Sequence, residues 1–413
     1  MLGQTRTARK KPDRSYWFDR FQAERTQDGT FVCRDWLCPP ARSVDRARTS
    51  GLRGADLDAA LFQHGLIRPA VSTFGSPVRN RPANAEDTLF WQYPCLTEAA
   101  AWEVHQSLEA PQLENNEMHV YLGMPWATWI DLVRKNATGS SGSVQIAFQL
   151  QMLRIRLSGQ RAALAELGIR LRVHTVCQHI YWRDMVQAWS ELGVTDLWLS
   201  HLPDHGDLDV NGMVLHPWSL YAVNVRDEHR RSGLETGKDP EQKKVLASFI
   251  GTHAAHYISE VRLRLRDLAS APGFVVRLTD KWHFEEVVYS EQMMRTSPVS
   301  PTDCNSSVTE YNALLSDSVF SLCPSGAGPN TLRLWESLAA GSIPVLLGPA
   351  VAMPSGGSLP DIDWDSIVVR IPDEKLAELP AILRAMPMDE MRRRQRAGLD
   401  AHAQVARQRC FQC

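Results

Sequence analysis

The chain has 413 residues, 44% of them hydrophobic and 22% charged, and a formal net charge of −2. That length suits two domains of roughly 100–200 residues each, and the apolar content gives each enough material for a core. A near-neutral balance excludes a global pull toward nucleic acid or an anionic membrane, so no nucleic-acid partner is expected and any basic site has to be local.

Residues 1–60 are rich in Arg, Asp and Pro with scattered aromatics and little sustained periodicity, and read as an extended or loosely packed lead-in. The opening MLGQTRTARKKPDR is charged and lacks the apolar run of a signal peptide or anchor, and no later segment reads as a spanning helix. The expectation is a cytoplasmic protein with at most peripheral membrane contact. Eight cysteines in such a chain read as thiols. Cys95, Cys177 and Cys323 sit in or beside apolar runs. Cys33, Cys38, Cys410 and Cys413 leave two readings open, a zinc site joining the chain ends or an unstructured tail.

Residues 61–226 read as one α/β domain: strands at 118–123, 171–177 and 196–200, helices at 145–167 and 184–192, and a Gly/Ser loop at 136–143 that suits a lid or a plain surface turn. Alternating strands and helices imply a parallel sheet. Residues 227–244, strongly charged and holding Gly and Pro, read as a linker. A second α/β domain follows over 245–372, with strands at 245–250, 274–278, 318–323, 343–347 and 367–371 and a helix at 254–268. Residues 373–413 read as terminal helices and tail.

The most informative stretch is Tyr311 to Gly348, YNALLSDSVFSLCPSGAGPNTLRLWESLAAGSIPVLLG. A strand runs into a loop holding Gly326 and Gly328, then into a helix with Asn330 as its cap, then into a second strand. A helix starting there points unpaired N–H groups and its positive dipole end at the loop, which favours a bound diphosphate. Glu336, about two turns in, can accept hydrogen bonds from ribose hydroxyls if it faces the cleft; a solvated helix glutamate has the same spacing.

The order Tyr311, Ser316, Phe320, Leu322, Cys323, Pro324, Gly326, Gly328, Pro329, Arg333, Glu336, Leu338, Ala340, Gly341, Ile343, Pro344 and Val345 resembles the nucleotide-sugar segment of the exostosin-like glycosyltransferases. Weaker echoes lie at 243–251 and 359–369, and a thinner one at 121–131. The resemblance implies a GT-B fold, two Rossmann-like domains with parallel sheets facing a central cleft and carboxyl-terminal helices packing back. It implies transfer from a nucleotide-diphosphate sugar to a glycan or lipid-linked glycan. Secretory relatives carry an anchor, so its lack here points to a bacterial enzyme of surface polysaccharide assembly. Retaining enzymes of this plan place a second Glu eight residues before the ribose Glu; here that position is Gly328, which points to inversion.

The implied donor set is Gly251, Arg262, Arg277, Lys281, Ser325, Gly326, Ala327, Gly328, Asn330, Thr331, Arg333 and Glu336. No metal or other cofactor is expected, since helix dipole and basic side chains can hold the diphosphate and Asp361/Asp363 read as a strand-edge pair. For the base that removes the acceptor proton, His201 is the first candidate, in the loop with Ser200, Asp204 and His205, and Glu98 is the second. Trp126, Trp129 and Trp218 suit either sugar stacking or core. A fold that binds glycan without turnover, or a nucleotide-sugar epimerase, are the rival readings.

Overall fold

The computed structural model describes residues 70–71, 91–92, 95–108, 112–134, 141–206, 208–280 and 301–411. The lead-in, most of the 136–143 loop, Lys281, Cys33, Cys38 and Cys413 lie outside them.

The first sheet has strands β1 (Ala70–Val71), β2 (Gln112–Glu114), β3 (Glu117–Leu122), β4 (Arg170–Cys177), β5 (Asp196–Leu199), β6 (Asp209–Val210) and β7 (Met213–Pro217), in the order β1-β3-β4-β5-β7-β6 with β2 on β3. Its body is parallel; β2 and β6 add by antiparallel hairpins. Each hairpin turns on two residues. Asn115-Asn116 and Asn211-Gly212 all have positive φ, as the tight turn matching strand twist requires. Helices Thr97–Gln106, Trp126–Arg134, Ser141–Glu166 and Val186–Leu192 accompany this sheet. Trp126 and Trp218 are core, the Trp126 indole donating to Thr175 Oγ1 at 2.8 Å.

The second sheet, β8 (Val245–Thr252), β9 (Phe274–Thr279), β10 (Ser318–Pro324), β11 (Ile343–Leu347) and β12 (Val369–Ile371), is parallel throughout, in the order β12-β11-β10-β8-β9. All seven residues of β10 are buried, which is why its sequence reads as a continuous apolar run rather than an alternation. Connections leave β8 and β10 in opposite directions, so the switch point, where open sheets bind ligands, lies beyond the carboxyl ends of these two neighbours. Two parallel sheets, each carrying its carboxyl-end loops to a shared boundary, make the GT-B plan.

Three expectations are corrected. Residues 254–260 are not helical: Ile258 N–H donates to Gly326 O at 3.0 Å, so this stretch roofs the Gly-rich loop, and helix exists only at Val261–Arg264 before a 3-10 segment. The 227–244 segment, read as a linker, packs on the second domain. Asn312 Nδ2 donates to the Arg230 and Ser232 carbonyls at 2.7 and 2.9 Å, Lys238 pairs with Asp317, and Arg392 pairs with Asp239 at 2.9 Å, so its charges are spent on the second domain. Strand β12 starts at Val369, because Asp363 caps a short 3-10 turn at Trp364–Ser366. Asn330 is not the cap of Leu332–Ala340: Thr331 holds that place.

The terminal helices Leu379–Ala385 and Met388–Val405 lie on the second domain, and the close approach of Gly398 to Leu338 lets the longer one pack on Leu332–Ala340. Beyond Val405 the chain crosses to the first sheet. Cys410 N–H donates to His105 Nε2 at 2.9 Å, and the Phe411 ring lies 5.1–5.5 Å from the imidazoles of His105, His119 and His174. Cys410 is thus a core thiol, pushed well above its ordinary pKa by burial. Among the described residues no helix is long and apolar enough to cross a membrane.

Candidate active site

The strand ends at the switch point are braced by one guanidinium. Arg262, buried, donates from Nη1 to Thr252 O at 2.8 Å, from Nε to Ser325 O at 2.8 Å and from Nη2 to Pro324 O at 3.4 Å, tying the ends of β8 and β10 together. Burial holds it down at about 10, and its bonding is that of a brace for the loop. Arg262→Ala would leave those carbonyls without their donor, at about 1–3 kcal/mol per orphaned group. The expected loss is about 3 kcal/mol in urea unfolding, with Arg262→Lys recovering part because one ammonium cannot fork across both strands. A loss under about 1 kcal/mol would show the brace to be dispensable.

Arg333 lies half-buried across the switch-point crevice. Its guanidinium donates to Ile250 O and stacks 4.4 Å from the Phe249 ring centroid. Gly251 makes room for it, since a Cβ there would come within 3.2 Å of Arg333 Nη2. Gly326 likewise faces Arg262 Nη2 at 3.2 Å from an added Cβ. The helix Leu332–Ala340 begins at Thr331 with no side-chain cap; Leu334 N–H donates back to Thr331 O at 3.2 Å, which leaves the N–H groups of Leu332 and Arg333 to face an anion. Two buried polar atoms border this crevice without a hydrogen-bond partner, Ser325 Oγ and His253 Nδ1.

Asn330 joins the halves. Its Oδ1 accepts from Thr331 N–H and from the Trp335 indole, and its Nδ2 donates to Ser200 O at 2.7 Å. Beside it Ala352 N–H donates to Leu202 O at 3.0 Å, so the loop carrying His201 is fastened to the one after β11. Glu336 is 3% exposed. Its Oε2 accepts from Tyr311 Oη at 2.8 Å and its Oε1 from Asn224 N–H at 3.3 Å, while burial raises its pKa. Arg277 stands apart, exposed and paired with Glu310.

The two base candidates occupy different surroundings. His201 reaches the Gly-rich loop: a Cβ on Gly328 would sit 2.5 Å from its Nδ1 and 2.7 Å from Ile180 Cγ2. Its Nδ1 is buried without a partner, and burial, aided by His179, holds the ring down at about 3. A neutral imidazole that binds protons so weakly is a poor base near pH 7. Glu98 is 2% exposed and faces inward, accepting from Gln178 N–H at 3.0 Å and Ala127 N–H at 3.1 Å, where it caps Trp126–Arg134. Burial pushes it up to about 8 against the pull of those N–H groups. His205 is exposed in the outer part of the loop.

Sequence reading missed a third group at the same edge. His179, just past β4, holds Asp131 Oδ1 at 3.3 Å through Nε2, and Gln92 donates to Asp131 Oδ2 at 2.8 Å. The weak family echo ending at Asp131 was the only signal for it. Among the described residues no cluster of three or more His, Cys, Asp or Glu is set to hold a metal ion.

Two facing parallel sheets, with a Gly-rich loop and an uncapped helix at the switch point of the second, define an α/β protein of the GT-B class. Residues 219–386 match the Exostosin GT47 domain, and that segment carries the chain's similarity to the exostosin-like glycosyltransferases. It is 38% identical over 79 residues to a probable glucuronosyltransferase of Oryza sativa subsp. japonica (19% of this chain, 18% of that protein). It is 28% identical over 159 residues to Exostosin-1 of Drosophila melanogaster (38% and 20%), and 32% identical over 88 residues to a probable beta-1,4-xylosyltransferase of Arabidopsis thaliana (21% and 21%). The chain spans about a fifth of the length of these relatives. Among solved structures the GtfA/B complex is similar at 10% identity and a TM-score of 0.29, covering 62% of this chain and 58% of that one. The pneumococcal O-GlcNAc transferase GtfA with UDP and GlcNAc is similar at 10% and 0.24, covering 62% and 56%. Superpositions that loose carry no argument about individual residues.

Proposed function

We propose that this protein transfers a sugar from a nucleoside diphosphate sugar to a hydroxyl of a glycan or glycoconjugate, with inversion at the anomeric carbon. The observation that carries the reading is the convergence, inside the matched segment, of an uncapped helix, Arg333, and the unpartnered Ser325 Oγ and His253 Nδ1 on one crevice. Those groups supply donors and positive potential for a leaving diphosphate. Inversion is supported by the packing of Gly328. The position where a retaining enzyme of this plan carries its second carboxylate has no room for a side chain against His201 and Ile180. Assigning the product to a bacterial surface polysaccharide rests on the resemblance alone, the relatives named above being from plants and a fly.

Glu336 enters as the ribose acceptor. Its 3.3 Å bond from Asn224 N–H is the longer of its two and the one a ribose hydroxyl would replace. Glu336→Ala is expected to weaken UDP binding about tenfold, the worth of one charge-assisted hydrogen bond. Unchanged affinity in a titration would remove Glu336 from the site.

The test of the reading is a thermal-shift screen of UDP, UDP-glucuronic acid, UDP-xylose and UDP-N-acetylglucosamine, followed by an assay of UDP release with xylo-oligosaccharides as acceptors. A nucleotide at a hundred times its Kd should add about 2.7 kcal/mol. Stabilisation with new oligosaccharide product supports transfer. Binding without product favours a glycan- or donor-binding role, and conversion of the nucleotide sugar with no acceptor favours an epimerase.

A further inference from the structure

We propose that Asp131 is the group that takes the acceptor's proton, with His179 and Gln92 as positioning residues that hold its carboxylate toward the cleft; this rests on the transferase reading above. Asp131 lies on Trp126–Arg134, whose amino end Glu98 caps at the carboxyl edge of the first sheet. Its side chain keeps 24% exposure, against 2% for the Glu98 residue. A base must meet a bulky sugar hydroxyl, so this difference decides between the two carboxylates.

The carboxylate is oriented from both sides. Gln92 Nε2 donates to Oδ2 at 2.8 Å, and His179 Nε2 lies 3.3 Å from Oδ1. His179 Nδ1 accepts Tyr181 N–H at 3.1 Å, which leaves the ring proton on Nε2, pointing at Asp131. Ile180, next in the chain, packs on Gly328 of the donor loop, so the His179–Asp131 pair borders the place where donor and acceptor meet.

In the step, the acceptor oxygen bonds to the anomeric carbon as its proton passes to Asp131. The bond from that carbon to the diphosphate oxygen breaks, and its electron pair leaves with the nucleoside diphosphate.

The test uses the full chain with UDP-xylose or UDP-glucuronic acid and xylo-oligosaccharides, reading UDP release and product. Asp131→Asn should lower kcat by about 10²–10⁴-fold, with UDP affinity within about threefold of wild type. Formate or azide should restore part of the turnover of Asp131→Ala, which a structural role would not allow. His179→Ala should lower kcat about tenfold with little change in donor KM, and His179→Gln, which keeps an N–H donor, should recover most of it. Transfer by the wild type with Asp131→Asn unimpaired, or with the loss confined to His201→Ala, overturns the assignment alone. No transfer by the wild type, across donors that bind or do not, overturns the transferase reading and the assignment with it.

Discussion

Replacing Gly328 with glutamate is expected to stop sugar transfer while leaving UDP bound. The added Cβ would fall 2.5 Å from His201 Nδ1 and 2.7 Å from Ile180 Cγ2, so the second domain's loop and the first domain's edge could not keep their present approach. The loop itself is anchored from behind by Arg262 at Ser325 O. Relief comes from parting the two edges, against the bonds from Ala352 N–H to Leu202 O and from Asn330 Nδ2 to Ser200 O that hold them together. A shift of about 1 Å at reacting groups costs about 10²-fold in rate, and the expected loss of turnover is at least that. UDP affinity should fall less than turnover, since Arg333 and the first turn of Leu332–Ala340 keep their places at the crevice. Faster amide exchange over residues 200–204 in the variant would locate the parting. Wild-type turnover by Gly328→Glu would show that this contact is not part of the working state.

The second domain was the more legible of the two, and the reason is physical. A parallel sheet covered on both faces asks for unbroken apolar strands, so 318–323 and 343–347 stand out against the glycines and prolines between them. The helix expected at 254–268 went wrong because its apolar spacing is real while its backbone is used elsewhere. Tyr257 and Ile258 roof the Gly-rich loop, and the bond from Ile258 N–H to Gly326 O is tertiary and leaves no mark on periodicity. Asn330 was read as a cap on type and place alone. The structure spends its side chain on Trp335 and on Ser200 O, 130 residues away.

The first domain's contribution to the site was nearly illegible for a different reason. Gln92, Glu98, Asp131, His179 and His201 come from five separate places in the chain, and no local spacing links them. A dense titratable loop drew attention to His201, and that loop does reach Gly328. Which carboxylate is exposed and which is sealed against backbone N–H groups is decided by packing, and only coordinates distinguish Glu98 from Asp131. The partners of the charged 227–244 segment were hidden on the same account. Charge predicts solvent when nothing is known of partners, and here Asp317, Arg392 and the Asn312 amide are waiting for it.

Acidification from pH 7 to pH 4 is expected to cost most of the protein's stability, through histidines buried as neutral rings. Burial holds His105 down at about 3, His201 at about 3 and His402 at about 4, against an unfolded value of about 6.5. Between those limits the unfolded chain binds the extra protons, so stability is full above about pH 6.5 and falls as the pH drops toward the folded values. Three such shifts amount to several kcal/mol by about pH 4, comparable with the roughly 5–15 kcal/mol that holds a domain together. Asp196 acts in a lower window. Held far below its usual range by His216 at 3.0 Å and Arg172 at 2.5 Å in spite of burial, it keeps its contribution down to about pH 4 and loses it below. His105 should matter most for the domain boundary. Its Nδ1 faces Ala101 O at 2.6 Å and its Nε2 accepts Cys410 N–H, so a second ring proton would confront that amide and release the terminal segment that crosses between the domains. Urea unfolding at pH 7.5, 6, 5 and 4 should give a steady decline, and His105→Gln, which has no proton to gain, should flatten part of it. Equal stability at pH 7.5 and pH 4.5 would mean that these rings are already solvated in the folded protein.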